Sequence, residues 1–259
     1  MSGRACNDGG KTRGVTCVGG SVVGAALRIM AHEVAHQFAV SHSWNNCPGS
    51  DGQRASGGAF EPGSGTTIMS YSGACGSQNI GGSQAYYHVG SVQQFLTFTR
   101  ETGAADCATV VETDNFTPEV SFAYTSGFTI PVSTPFRLTG EATDANGDAL
   151  TYNWEQYDLG PASDIDDPSG NAPLFRSLFP LPNGNVRYFP NLARIVNDIQ
   201  SLAEVLPTYT RDMTFRLVAR DNNVMAGGID WEQLKFKTSE GAGPFLVNDP
   251  EGGDLRVGE

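Results

Sequence analysis

The chain has 259 residues, a formal net charge of −12 and 32 glycines, and only 17 % of its residues are charged. That length suits one large domain or two ordinary ones, and the composition suits a loop- and strand-rich globular protein rather than a helical bundle or a disordered tail. The acidic balance disfavours phosphate backbones and anionic membranes, so no nucleic-acid partner is expected.

The first twenty residues are Gly-rich and irregular, with no apolar leader after Met1. From Ser21 to about Val40 the pattern turns helical, with Ala25, Ile29, His32 and His36 on one face. Its apolar part, VVGAALRIMA, carries Arg28 and is too short to span a bilayer. Residues 43–83 are dense in Gly, Ser and Asn and read as a long shaped loop. A second helix is expected from about Ser91 to Glu101, opened by a capping box of Ser91 and Gln94. Val92, Phe95, Leu96 and Phe98 supply its apolar side.

After that the composition shifts. Residues 106–118 read as a linker. The runs EVSFAYT, FRLTGEAT, LTYNWEQY, MTFRLVARD and IDWEQLKFKT then alternate like strands separated by turns. They predict a β-sandwich over about 119–240, with Trp154 as the large buried aromatic of a central strand. Residues 158–210 are long for one connection and suggest an inserted segment. Residues 241–259 look like the opening of a further unit.

Three of the four histidines fall in HEVAHQFAVSH, residues 32–42. His32 and His36 are four apart, so a helix stacks their imidazoles one turn apart on one face. Glu33 lies beside them around the helix. If the chain turns back near Ala39, His42 completes a set of three neutral imidazoles with one open position, the donor set of a catalytic zinc site. The metal would acidify its bound water, and Glu33 would accept the proton as the water attacks a carbonyl. An ordinary buried helix with incidental histidines is the competing explanation, and the third histidine at this offset weighs against it.

The stretch resembles the extended zinc motif HExxHxxGxxH of the metzincin metallopeptidases. TTIMSYSG stands where that clan has its Met-turn, and the resemblance makes Met69 the hydrophobic floor beneath the metal. The wider string EPGSGTTIMSYSGACG looks most like the bacterial reprolysin-like peptidases, secreted enzymes that carry β-sandwich modules after the catalytic domain. ATDANGDALTYNWEQYD resembles such an Ig-like or cadherin-like module. By position, Tyr71 becomes a candidate stabiliser of the tetrahedral intermediate, against a plain packing role in the turn.

The sequence departs from the pattern in three places. Ala39 stands where the family has the glycine that ends the helix, so a left-handed turn there would be strained. Ser43 stands where reprolysins have Asp. Only about twenty residues precede the helix, where metzincins place a twisted sheet, so the chain reads as a fragment of a longer secreted precursor whose signal peptide is missing.

Other features carry less. Asp144–Asp148, DANGD, lacks full calcium-loop spacing and reads first as a turn, with calcium as a secondary candidate ion. His88 reads as a packed or solvated residue rather than a fourth ligand. The cysteines Cys6, Cys17, Cys47, Cys75 and Cys107 contain no CxxC pair and lie in loops that suit disulfides in an oxidising compartment, or are unrelated thiols.

The architecture expected is therefore α+β. Residues 1–105 would form the C-terminal part of a metzincin catalytic domain: zinc helix, Met-turn and final helix. An all-β Ig-like sandwich would follow over 119–240. The function expected is a zinc-dependent endopeptidase acting on extracellular proteins through a zinc-bound water activated by Glu33, with protein or peptide substrates. The alternative is a non-catalytic secreted binding or adhesion protein with a remnant peptidase domain. Nothing in the sequence sets an oligomeric state.

Overall fold

The structure, a computed structural model, describes residues 3–6, 23–102, 106–199 and 201–245. Cys17 and most of residues 241–259 lie outside the described residues. The first helix, α1, spans Val23–Gln37. It ends in a Schellman turn: Val40 N–H donates to Ala35 O (3.1 Å) and Ala39 N–H to His36 O (3.2 Å). Ala39 takes φ +63°, the left-handed conformation expected where the family has glycine. Residues 3–5 cap the same helix end, with N–H groups of Gly3 and Arg4 on the carbonyls of His36 and Gln37. A disulfide from Cys6 to Cys107 ties this capping segment to the chain beyond the second helix.

Part of the long Gly-rich loop is packed inside the protein. Residues 58–70 are all buried. Their backbone groups find partners by running beside the segment after His42: Ser43 N–H donates to Met69 O (3.1 Å), Glu61 N–H to Ser43 O (2.8 Å) and Asn45 N–H to Glu61 O (2.8 Å). Gly65 has φ +65°, and a Cβ there would meet the Glu61 carboxylate at 2.7 Å. A second disulfide, Cys47–Cys75, closes this loop.

Helix α2 spans Val89–Leu96 and continues as a π turn over Thr97–Glu101. Its N-cap lies three residues before that of the expected capping box. His88 is the N-cap, its side chain accepting from Gly90 N–H, and Ser91 is buried inside the helix. Gln94 turns instead to Ser41, accepting from its N–H (2.8 Å) and hydroxyl (3.0 Å). A Cβ on Gly90 would meet the Phe60 ring at 2.3 Å, so only glycine lets the helix lie that close.

Among the described residues, the rest of the chain forms eight strands: β1 Glu119–Ser121, β2 Thr129–Pro131, β3 Phe136–Thr139, β4 Glu141–Thr143, β5 Thr151–Gln156, β6 Val186–Phe189, β7 Arg211–Arg220 and β8 Ile229–Ser239. A short helix, α3, covers Leu192–Asn197. The main sheet runs β2-β8-β7-β5, with β2 parallel to β8 and the other pairs antiparallel. Two-stranded sheets β1-β4 and β3-β6 flank it. Alternation explains the core: Met213, Phe215, Leu217 and Ala219 of β7 and Leu234 and Phe236 of β8 point inward and meet Val120, Leu138, Trp154 and Phe189. Trp154 is fully buried as expected, but β5 lies at an edge of its sheet, not at the centre. The inserted segment 158–210 supplies β6, α3 and the core residues Leu174 and Phe175.

The outer face of the main sheet lies against the helical part. Glu155 of β5 is 0 % exposed and accepts from Val89 N–H at the start of α2 (2.7 Å). Gln93 of α2 accepts from the Tyr157 hydroxyl (2.7 Å) and from Arg216 of β7 (2.8 Å). The Arg216 guanidinium sits 3.4 Å over the Tyr157 ring, which stacks on Phe60 at 4.5 Å. The insertion covers the Gly-rich loop: Asn45 donates to Pro161 O (2.9 Å), Arg54 to Gly160 O (2.7 Å) and Gln78 to Asp164 (2.9 Å).

Candidate metal centre

Helix α1 delivers His32 and His36, and the turn at Ala39 brings His42 back to them. Each Nδ1 donates to a backbone carbonyl: His32 to Ile68 O (2.8 Å), His36 to Val40 O (2.7 Å) and His42 to Gln53 O (2.8 Å). That pattern assigns the proton to Nδ1 in all three rings and leaves each Nε2 a lone pair. Nε2 of His36 and of His42 are 3.1 Å apart, and one ligand atom from each of the three rings lies within 4.8 Å of the others. Two facing lone pairs with no proton between them repel. A cation between them removes the repulsion, and two nitrogens about 2.0–2.1 Å from one zinc ion fit the 3.1 Å between His36 and His42. The donor set therefore suits a zinc ion.

Burial, and then the neighbouring cationic groups, push the His32 imidazole down to about 4, and burial also lowers His42. Both effects favour the neutral form that a metal needs.

Met69 is fully buried and packs with Ala35, Val40 and Ile68 beneath α1. Tyr71 lies beside the triad, its ring 4.6 Å from that of His42, and its hydroxyl donates to the Gln53 side chain. Burial, aided by the charge of Glu33, raises the Tyr71 phenol and keeps it a donor. Glu33 lines a cleft with Arg28, His32, Ser70 and Tyr71. The structure thus brings all six expected site residues to one place.

Three further residues hold this place together. Glu61 is buried, and its carboxylate accepts from the Ser43 hydroxyl (2.6 Å), the Thr67 hydroxyl (2.7 Å) and the N–H groups of Thr66 (3.0 Å) and Thr67 (3.1 Å). It thereby joins the residue after His42 to the residues before Ile68, whose carbonyl orients His32. Where the resembled family has Asp at position 43, this chain pairs a serine with a carboxylate from elsewhere. Gln53 orients His42 through its backbone carbonyl and Tyr71 through its side chain. Gln94 holds Ser41 beside His42. Sequence reasoning singled out neither Glu61 nor Gln53 as a site residue: Ser43 stands out only as a departure from the family pattern, Glu61 only as the first residue of the string EPGSGTTIMSYSGACG, and Gln53 belongs to no motif.

His88 lies apart from the triad as a buried N-cap stacked on Phe60 at 5.3 Å. In DANGD, Asp144 Oδ1 accepts from the N–H groups of Asn146 (2.9 Å) and Asp148 (3.0 Å), the hydrogen bonding of a turn. Asp144 and Asp148 also converge with Asp221, a grouping that no local spacing signals.

Residues 2–98 match the family model described as Metallo-peptidase family M12B Reprolysin-like. The match supports a metallopeptidase, and with it a metal and a protein substrate. It covers α1, the Met69 loop and nearly all of the second helix, and it stops short of the β-rich part. No curated protein matches the chain. Among the described residues, no helix is long and apolar enough to cross a membrane.

Proposed function

We propose that this protein is a zinc-dependent endopeptidase of the metzincin type, with His32, His36 and His42 as ligands and Glu33 as general base. The observation that carries the reading is the convergence of three imidazoles, one ligand nitrogen of each within 4.8 Å of the others, with every Nδ1 held by a backbone carbonyl. A zinc ion bound there supplies Lewis acidity toward a carbonyl oxygen and toward water. Glu33 accepts a proton from the attacking water as the new C–O bond forms, then donates it to the amine nitrogen as the C–N bond breaks. The Tyr71 hydroxyl, swung from Gln53, donates to the oxyanion. Met69 keeps the floor beneath the ligands apolar and close-packed.

The two disulfides support an extracellular, oxidising setting. We take residues 1–105 as the peptidase portion, 106–118 as the connection and 119–240 as an Ig-like unit. The turn geometry of DANGD accounts for its hydrogen bonds, and calcium has no part in the proposed reaction. Because Ala39 adopts the left-handed turn, its replacement of glycine gives the binding-protein alternative little support.

The test is direct. Glu33→Ala should bind one zinc per chain and cleave no peptide, whereas His42→Ala should lose the zinc. Wild-type-like cleavage by Glu33→Ala would remove the mechanism.

A further inference from the structure

Among the described residues, two disulfides brace the metal centre, and they differ in access. Cys47 and Cys75 are 1 % and 0 % exposed. Cys107 instead lies in the exposed stretch 106–114, where a soluble thiol can reach its sulfur. Its partner Cys6 is partly buried and takes φ +63°, a left-handed backbone that is costly for a residue with a Cβ. The segment held by this bridge lies on the end of α1. The N–H group of Gly3 donates to His36 O (2.9 Å), and those of Arg4 and Ala5 donate to Gln37 O (2.7 and 2.9 Å). A Cβ on Gly3 would stand 3.5 Å from that of Ala39 and 3.3 Å from the Phe98 ring, so the segment covers the turn itself.

That turn brings His42 back to His36, and it is closed by Ala39 N–H on His36 O and Val40 N–H on Ala35 O. Once the bridge opens, residues 3–6 stay in place by their own contacts alone, against relief of the strained Cys6 backbone and the regained freedom of the segment. Building on the reading of the triad as a zinc site, we propose that Cys6–Cys107 is a redox-sensitive tether: its reduction by a dithiol frees residues 3–6 from the end of α1 and weakens metal binding at His36 and His42. In the exchange, one thiolate of the dithiol attacks Cys107 Sγ, the Cys6–Cys107 bond breaks, and Cys6 leaves as a thiolate. The second thiolate of the dithiol then attacks the mixed disulfide and Cys107 leaves. The dithiol ends as a disulfide, two electrons have passed to the protein, and both cysteines take up protons. The metal centre is thereby weak in a reducing compartment and complete in an oxidising one.

The experiment uses the full chain. Graded dithiothreitol, followed by iodoacetamide and peptide mass mapping, should show Cys6 and Cys107 alkylated while Cys47 and Cys75 stay paired. After desalting, titration with zinc against a chromophoric chelator should give the oxidised chain a Kd about 10-fold lower than the alkylated form, the low end of the effect of groups that support metal ligands. The double variant Cys6→Ser/Cys107→Ser should match the alkylated form before and after the same treatment. Hydrogen exchange on metal-free protein separates this inference from the zinc reading. Ala39 and Val40 N–H should exchange several-fold faster in the double variant, while the β7 amides of Met213–Ala219 keep their protection. That result supports the tether even if the chain binds no zinc. Earlier reduction of Cys47–Cys75, a measurable zinc affinity that is equal in the oxidised and alkylated chains, or unchanged exchange at Ala39 and Val40 would each overturn the inference. So would loss of protection across β7, which would make the bridge a support of the whole fold.

Discussion

Ala39 stores strain that the site requires. Its left-handed backbone, φ +63°, turns the chain so that His42 faces His36. Alanine there costs about 1–2 kcal/mol, and glycine would return part of that gain through its freer unfolded chain, so Ala39→Gly should stabilise the fold by about 0.5–1 kcal/mol with zinc binding intact. Urea unfolding checks this; a lower midpoint for the variant would show the turn unstrained. His32 makes a second prediction. Unfolded, its imidazole protonates near its ordinary 6.5; folded, burial holds it at about 4. Between those values the unfolded chain binds a proton that the folded chain refuses, so stability falls as pH drops through that window and this group contributes nothing to pH dependence above it. In metal-free protein the urea midpoint should decline from pH 6.5 toward 4, and His32→Gln should flatten the decline.

At the scale of elements, the first helix and the turn after it were legible because their signals are local. Helical spacing stacks His32 on His36, and a single residue, Ala39, marks where the helix must stop. The second helix misled for a reason equally local. Ser91 and Gln94 have capping-box spacing, but tertiary contacts claim both: Ser91 is buried, Gln94 serves Ser41, and His88 caps instead. The Met69 loop shows a different case: Gly, Ser and Thr indicate a shaped loop, and what no local pattern indicates is that residues 58–70 are buried throughout. What keeps it folded is Glu61, which satisfies backbone and hydroxyl donors that would otherwise be buried without partners. Glu61→Ala should cost about 3 kcal/mol or more, since several buried donors lose their acceptor at once. It should also weaken zinc binding, because Ser43 and Ile68 flank two of the ligands. Thermal unfolding with and without zinc measures both; an unchanged zinc affinity would confine Glu61 to the loop.

At the scale of the whole molecule, the helical part and the β-rich part share polar contacts too well buried to separate cleanly. Glu155, Tyr157 and Arg216 lie on the outer face of a sheet whose inner face is the apolar core, and their partners are on α2. Cutting the chain near residue 105 would leave Val89 N–H and Gln93 without these bonds and expose Phe60. Heating the full chain should therefore give one cooperative transition, and residues 1–105 alone should unfold at a lower temperature. Two well-separated transitions in calorimetry would contradict this.

The alternation in LTYNWEQY and MTFRLVARD determined by itself which residues face the core, because a strand's side chains must point to opposite faces. The spacing in HEVAHQFAVSH likewise determined which side chains could share an ion. What alternation leaves open is where the polar face points. Glu155 and Arg216 have the pattern of a solvated surface, yet they are buried against the helical part. Only the tertiary structure decided that, and only it decided that Glu61 and Gln53 meet the histidine site. Those contacts join segments distant along the chain, and nothing in a local pattern encodes which buried donors a remote carboxylate will satisfy.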